Sequence, residues 1–239
     1  MITLLIALAA VGAPAAAPAA TTAQPGSSTR AQAEAFGRLH VPTDVTIASA
    51  RTMFARTFTA SFDASAESLA AEARFPGIRN AALAAGTQAL EDGAMREVPA
   101  LQSQIADLVQ ARLSAGDLAA VLRFYQQPAV RRLQAAAGTS MPVDAMIAKA
   151  KAQPVPSFSA AELVDHAARG AEAAATPADR AAVAAFMATP AGRRFGALMP
   201  DLMELVTART NAMIEGLQPQ ILAASQAAAR DFVRSAGTK

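Results

Sequence analysis

Apolar positions along this chain recur every three or four residues and do not settle into alternation, which is the period of helices rather than strands. The spacing predicts a short helix over 29–39, ended by Val41-Pro42, and a second over 44–62. In the second, Ile47, Phe54, Phe58 and Phe62 share one face. That stripe reads either as a groove for a lipid or other ligand or, on the greater weight of burying large side chains, as the main core anchor. A helix over 64–73 stops before Phe75-Pro76-Gly77, a strong breaker. Helix resumes over 78–98, and Pro99 is expected to open another as its first residue, where a missing N–H costs nothing. Beyond Pro190 the pattern is helical to about residue 233, with interruptions expected at Pro200 and Pro219.

Within this pattern one passage occurs twice. The stretch from Ser114 to Leu133 and that from Thr176 to Phe195 align at a constant offset: 190 − 128 = 62 for the prolines and 186 − 124 = 62 for the phenylalanines. Each opens with a hydroxyl residue followed three positions later by Asp (Ser114/Asp117, Thr176/Asp179), the spacing of a capping box. Ser159 and Glu162 make a third such pair. Each copy then carries a Phe and, four residues on, a Pro: Phe124 with Pro128, and Phe186 with Pro190. Proline cannot continue the hydrogen-bond ladder and turns its predecessor away from helical geometry, so the chain should bend at Gln127-Pro128 and Thr189-Pro190 and restart with Pro at the first helical position. Thr189 is placed to cap the second restart. The fold class expected is all-α, a helical bundle built from two related helix–kink–helix units with the Phe packed inside each elbow.

The pattern aliphatic-x-x-Phe-Tyr-x-x-Pro-Ala-x-x-x-Leu, carried by Leu118 to Leu133 with Phe124-Tyr125-Gln126-Gln127-Pro128-Ala129, resembles the signature of an uncharacterised bacterial family, DUF2059. Phe186-Met187-Ala188-Thr189-Pro190-Ala191-Gly192 is similar to it as well. The first copy departs at Val130, where the family usually has Gly, and the second at Met187, where it usually has Tyr. The resemblance implies an exported, all-helical protein of Gram-negative bacteria. It implies no activity, because the family brings no catalytic residue or ligand to carry over.

Composition narrows the rest. The chain has 239 residues, 53% of them apolar but only 5% aromatic, and it is rich in Ala, so its helices can approach closely around a thin core. Absence of Cys excludes disulfides, thiolate zinc sites and cysteine nucleophiles. Net charge is +2 with no block of like charges, which gives nucleic-acid binding little support. Ile2 to Gly12 is an uncharged apolar run, too short to span a bilayer and suited to the central region of a secretory signal, with Ala17-Pro18-Ala19 fitting the small-x-small cleavage rule. The expected organisation is a signal over 1–19, a flexible start over 20–30, a helical region over 31–110, the two repeat units over 111–153 and 154–234 with the loop 153–158 between them, and a disordered tail over 235–239. The expected location is the periplasm or outside the cell, with no membrane span in the mature chain; the oligomeric state is left open.

Candidate chemistry is sparse. His40 lies beside a breaker and is expected to cap a helix end or face solvent. His166, Glu162 and Asp165 share a helix, yet a metal site needs three or four ligands and no further cluster is visible, so they read as an exposed set rather than a metal centre. Tyr125, the sole tyrosine, is expected to pack at the elbow with its hydroxyl reaching a partner. Arg131-Arg132 and Arg193-Arg194 follow the elbow prolines and read as partners of Asp117, Asp179 or Glu204, or else as a grip for an anionic ligand. No catalytic constellation, metal or cofactor is expected. Asp117, Phe124, Tyr125, Pro128, Asp179, Phe186 and Pro190 are therefore assigned structural roles. The leading functional expectation is a non-catalytic module that binds a protein or supports an envelope component. A carrier of an apolar or lipid ligand and an unrecognised hydrolase are the alternatives.

Overall fold

The computed structural model describes residues 27–139 and 159–236, and among these every regular element is a helix. In chain order they are α1 (Ser27–His40), α2 (Thr43–Asp63), α3 (Ala66–Arg74), α4 (Ile78–Arg112), α5 (Ala115–Tyr125), α6 (Pro128–Thr139), α7 (Ala160–Ala174), α8 (Pro177–Met187) and α9 (Pro190–Ala236). The protein is an all-α bundle. The signal expected over 1–19, most of the flexible start, the 153–158 loop and the last three residues lie outside the described residues.

Several expectations change. Ser27 to Arg30 is not a loose segment: it forms the first turn of α1, Thr29 is buried, and Arg30 pairs with Glu34 and Asp107. Ser235 and Ala236 belong to α9 rather than to a disordered tail. Pro99 opens no new helix, and Pro200 and Pro219 interrupt none; all three lie inside the long helices α4 and α9. Each of these prolines is exposed, so the carbonyl it leaves unbonded one turn earlier can be met by water. Buried neighbours hold the helix on both sides, Val98 and Leu101 around Pro99, and Met199 and Leu202 around Pro200.

The described residues form two compact units that do not follow the linear blocks 31–110, 111–153 and 154–234. One contains 27–42, 99–139 and 159–209. Here α1 packs on α5, α5 on α6, and α6 on both α7 and α8. Its core includes Phe36, Ile105, Val109, Leu118, Val121, Phe124, Leu133, Phe195 and Leu202. Gly37 lies against the backbone of Gln102, where a β-carbon would strike the carbonyl, and the Gln102 side-chain amide donates to the Val41 carbonyl at 2.8 Å. That close approach seats the end of α1 on α4.

The other unit contains 43–98 and 210–236. Its buried apolar residues are Ile78, Ala82, Ala94, Val98 and Leu217. Gly86 fits against Phe54 and Ser225, and Gly93 against Leu217; a β-carbon at either position would collide with those side chains. Phe54, Phe58 and Phe62 follow one another along α2 as tilted rings with centroids 5.8 and 5.9 Å apart, but all three stay half-buried and α2 buries no residue completely. The stripe is therefore not the main core anchor: the fully buried rings, Phe36, Phe124 and Phe195, belong to the first unit. Gly86, which lies against Phe54, presents no side chain to cover that ring.

Candidate functional site

Everything the sequence singled out around the two elbows falls in the first unit. The three capping boxes form. Asp117 N–H donates to the Ser114 hydroxyl at 3.2 Å, and the Asp117 carboxylate accepts from the Ser114 amide and hydroxyl. Thr176 and Asp179 repeat the exchange with Pro177 at the first helical position, and Ser159 with Glu162 starts α7 in the same way. These contacts satisfy amides that a helix start leaves without partners.

At the first elbow α5 ends at Tyr125 and α6 starts on Pro128; at the second α8 ends at Met187 and α9 starts on Pro190. Thr189 caps the restart by accepting from the Gly192 amide at 3.0 Å. Phe124 and Phe186 meet face to face, their centroids 4.0 Å apart and their planes inclined by 9°. Such a pair adds about 0.5–1.5 kcal/mol beyond its buried area. Phe124 is buried and Phe186 half-buried.

Two ion pairs cross between the elbows. Arg132, beyond the first proline, reaches Asp179 at the start of α8 at 2.6 Å. Arg194, beyond the second, holds Asp117 at the start of α5 through two contacts of 2.9 and 2.6 Å. The offset noted in the sequence holds for these residues too, since 194 − 132 = 62 and 179 − 117 = 62. Both aspartates are buried while both arginines stay largely exposed. Burial works to raise the Asp117 carboxyl, but the bonds from Arg194 and Ser114 outweigh it and hold it below the usual carboxylate range. Thr176, then Arg132, does the same for Asp179. Arg193 donates to the Ala188 carbonyl, and Arg131 is exposed. Of the four arginines offered as an anion grip, Arg132, Arg193 and Arg194 are thus already engaged within the protein.

His40 is where the structure departs furthest from the sequence reading. It is fully buried, not a solvent-facing cap. Its ring stacks on Phe36 at 5.1 Å, and Nδ1 lies 3.0 Å from the Tyr125 hydroxyl. Phe195 closes the cluster edge-on to both Phe36 and Tyr125. His40 Nε2 has no hydrogen-bond partner among the described residues. An unpaired buried polar atom costs about 1–3 kcal/mol. Desolvation pulls the imidazole down to about 3, so the ring is neutral, and raises the Tyr125 phenol above its ordinary range. A His–Tyr pair is a common acid–base arrangement, but this one is sealed in a packed cluster. No signal in the sequence linked these two residues, which lie 85 positions apart.

The remaining candidates do not converge. Glu162 serves its capping box, Asp165 pairs with Arg169 on the same helix, and the His166 side chain lies outside the described residues. Among the described residues no group of three or more potential metal ligands assembles, and no helix is long and apolar enough to cross a membrane. One carboxylate escaped the sequence reading. Glu72 accepts from the amides of Gly77 and Arg79, both at 2.9 Å, and so caps the start of α4. Those two backbone bonds hold its carboxyl below the usual carboxylate range. Gly77 has φ +102, a conformation side-chain-bearing residues rarely adopt, and this was the role of the Phe75-Pro76-Gly77 breaker.

No curated protein and no solved structure matches the chain. Residues 161–220, from α7 through the second elbow and into α9, match the model of a family described as an uncharacterized protein conserved in bacteria, DUF2059.

Proposed function

We propose that this is an exported, non-catalytic helical module that acts by binding a protein partner or supporting a component of the bacterial envelope. We also propose that the elbow motif is present in two copies, the first over 114–133 and the second within the stretch that matches the family. The observation that carries the reading is the crossed pairing of Asp117 with Arg194 and Asp179 with Arg132 around the Phe124–Phe186 stack. It uses the elbows' polar side chains for caps and mutual contacts, which suits a rigid scaffold rather than a reaction centre. Export is supported by the apolar run from Ile2 to Gly12 and the small-x-small step at Ala17-Pro18-Ala19.

The test uses the full chain with a C-terminal tag, expressed in a Gram-negative host and fractionated. The tagged protein should reach the periplasm, and deletion of 1–19 should retain it inside. Cross-linking in the periplasm should give one adduct that excess untagged protein displaces. Retention of the full chain in the cytoplasm would overturn export, and absence of a displaceable adduct would overturn the binding role.

A carrier of an apolar or lipid ligand is a second reading, favoured by the three half-exposed rings of α2, Phe54, Phe58 and Phe62. Native mass spectrometry of protein purified without detergent would show a bound lipid if that reading is right, and the mass of the bare chain if it is not.

A further inference from the structure

Histidine is a costly choice at position 40. The ring meets Phe36 and Tyr125, with Phe195 edge-on to both of those, and a further phenylalanine at position 40 would leave no nitrogen without a partner. Neutral imidazole can share one proton with the Tyr125 hydroxyl at 3.0 Å. Imidazolium carries protons on both nitrogens: Nδ1–H must donate to the phenol oxygen, Nε2–H still faces no acceptor among the described residues, and the added charge sits among aromatic rings.

Among the described residues no neighbouring element supplies a compensating charge. On α1 itself, Arg30 and Glu34 pair with each other and Arg38 is exposed. From α5, His40 meets the Tyr125 phenol; Asp117 is held by Ser114 and Arg194, and Arg123 is exposed. From α9, Phe195 faces the cluster, Arg194 turns to Asp117, Arg193 turns to the Ala188 carbonyl and Asp201 pairs with Arg112. From α4, Gln102 bonds the Val41 carbonyl, Asp107 pairs with Arg30 and Arg112 with Asp201.

We propose that His40 is an acid-operated latch: proton uptake by its ring frees the last turn of α1 from Phe195 and Tyr125. The position suits release. His40 is the final residue of α1, just before Val41-Pro42, so letting go of it breaks no helix. Once in water, an imidazolium at a helix C-terminus is favoured by the carbonyls there, and α1 stays helical while detached. The proton linkage has a definite sign. A free histidine binds its proton near 6.5 and the packed ring only near 3, so between those values the released state holds one proton more. Its population then rises about tenfold for each unit of pH lost.

Hydrogen exchange of the full chain tests this, read as protection of α1 amides corrected for intrinsic rates. From about pH 6.5 to about pH 4.5, protection in α1 should fall about tenfold per unit, while amides of α4 and α9 lose less. The near-ultraviolet signal of Tyr125, the only tyrosine in a chain without Trp, should fade over the same range with far-ultraviolet helicity kept. His40→Gln, which keeps a polar side chain but cannot take the proton, should flatten the slope. An unchanged slope in that variant, no slope in the wild type, or an equal slope throughout α4 and α9 would overturn the latch. If His40→Gln does not fold, proton-linked resonances of the wild-type ring decide. A ring that titrates near 6.5 with Tyr125 still packed removes the latch, and one that titrates only as Tyr125 is released establishes it.

Discussion

At the first elbow Gln126 N–H bonds back to Leu122 and Gln127 N–H to Phe124; at the second Ala188 bonds back to Ala184 and Thr189 to Phe186, with distances matching within 0.2 Å. Both helices end on a residue of right-handed helical backbone, Gln126 with φ −77 and ψ −13, Ala188 with φ −71 and ψ −17. The backbone turns are alike and their surroundings are not. Phe124 and Tyr125 are sealed in the core, whereas Phe186 and Met187 stay half-buried. Val130 follows the first proline where Gly192 follows the second, and the fully buried Phe195 stands five residues past its proline as Leu133 does past the first. The lesson is that the bend is set locally, by proline and two carbonyls, while the strength of each elbow is set by what the rest of the chain brings against it.

The largest expected effect follows from that asymmetry. Phe124→Ala should cost about 3–5 kcal/mol in chemical denaturation, the usual price of emptying a buried aromatic site. Phe186→Ala should cost roughly half as much, because its ring is already partly in water. Equal losses would mean that the stack, which both variants destroy, outweighs burial, and the two elbows would then be energetic equals.

The next contrast lies just past the prolines. A β-carbon on Gly192 would press into the Phe186 carbonyl, which is backbone and cannot swing aside. Gly192→Ala should therefore destabilise by about 1–3 kcal/mol despite the better helix propensity of Ala. Val130→Ala loses buried methyl groups in the first elbow and should cost about 1–2 kcal/mol for that different reason. Melting curves of the two variants, with a structure of each, separate the cases: the glycine variant should open its elbow, and the valine variant should leave the backbone in place. An unmoved backbone in Gly192→Ala would show that the second elbow has slack the geometry does not suggest.

What could be read from the sequence follows the same division between local and distant. The capping boxes were legible because donor and acceptor lie three residues apart, and the elbows because proline acts on its immediate neighbours. Prolines alone did not distinguish a bend from a continuous helix. Gln127 and Thr189, before the elbow prolines, are exposed, whereas Val98 and Met199, before Pro99 and Pro200, are buried and hold the helix through. An apolar residue directly before those two prolines was the available signal. The cross pairing of the arginines was only half legible: the residue types named the partners, but contacts across 47 and 77 positions depend on how the helices pack. His40 was misread for that reason, since its neighbours in sequence describe a helix end and its neighbours in space describe a core.

Tyr125 and Met187 occupy equivalent places and offer a smaller test. Tyr125→Phe removes the hydroxyl that His40 Nδ1 meets and leaves the imidazole without that partner, which should cost about 1–3 kcal/mol. Met187→Leu conserves volume at a half-buried site and should stay within about 1.5 kcal/mol of the wild type. A tolerant Tyr125→Phe would mean that the ring packing of the cluster, rather than the hydrogen bond, keeps His40 inside.

The crossed ion pairs should give the smallest difference, and it tests whether the two elbows are matched. Both arginines are largely exposed, so solvent screens each pair and little stability rests on either. Arg194 nevertheless grips Asp117 with two nitrogens, while Arg132 meets Asp179 through one contact. Bidentate geometry makes the stronger hydrogen bonds. A double-mutant cycle on Asp117 and Arg194 should give a larger coupling than one on Asp179 and Arg132, and Arg194→Ala should lower Tm more than Arg132→Ala. Acid then removes the distinction. Both carboxyls are held below their ordinary value of 3.8 when folded, so their pairs stabilise the protein above that value and lose their contribution as pH falls through the folded values. The melting gap between Arg194→Ala and the wild type should be present at neutral pH and close in that acid range. A gap that persists there would assign the effect to packing of the arginine stem instead of its charge.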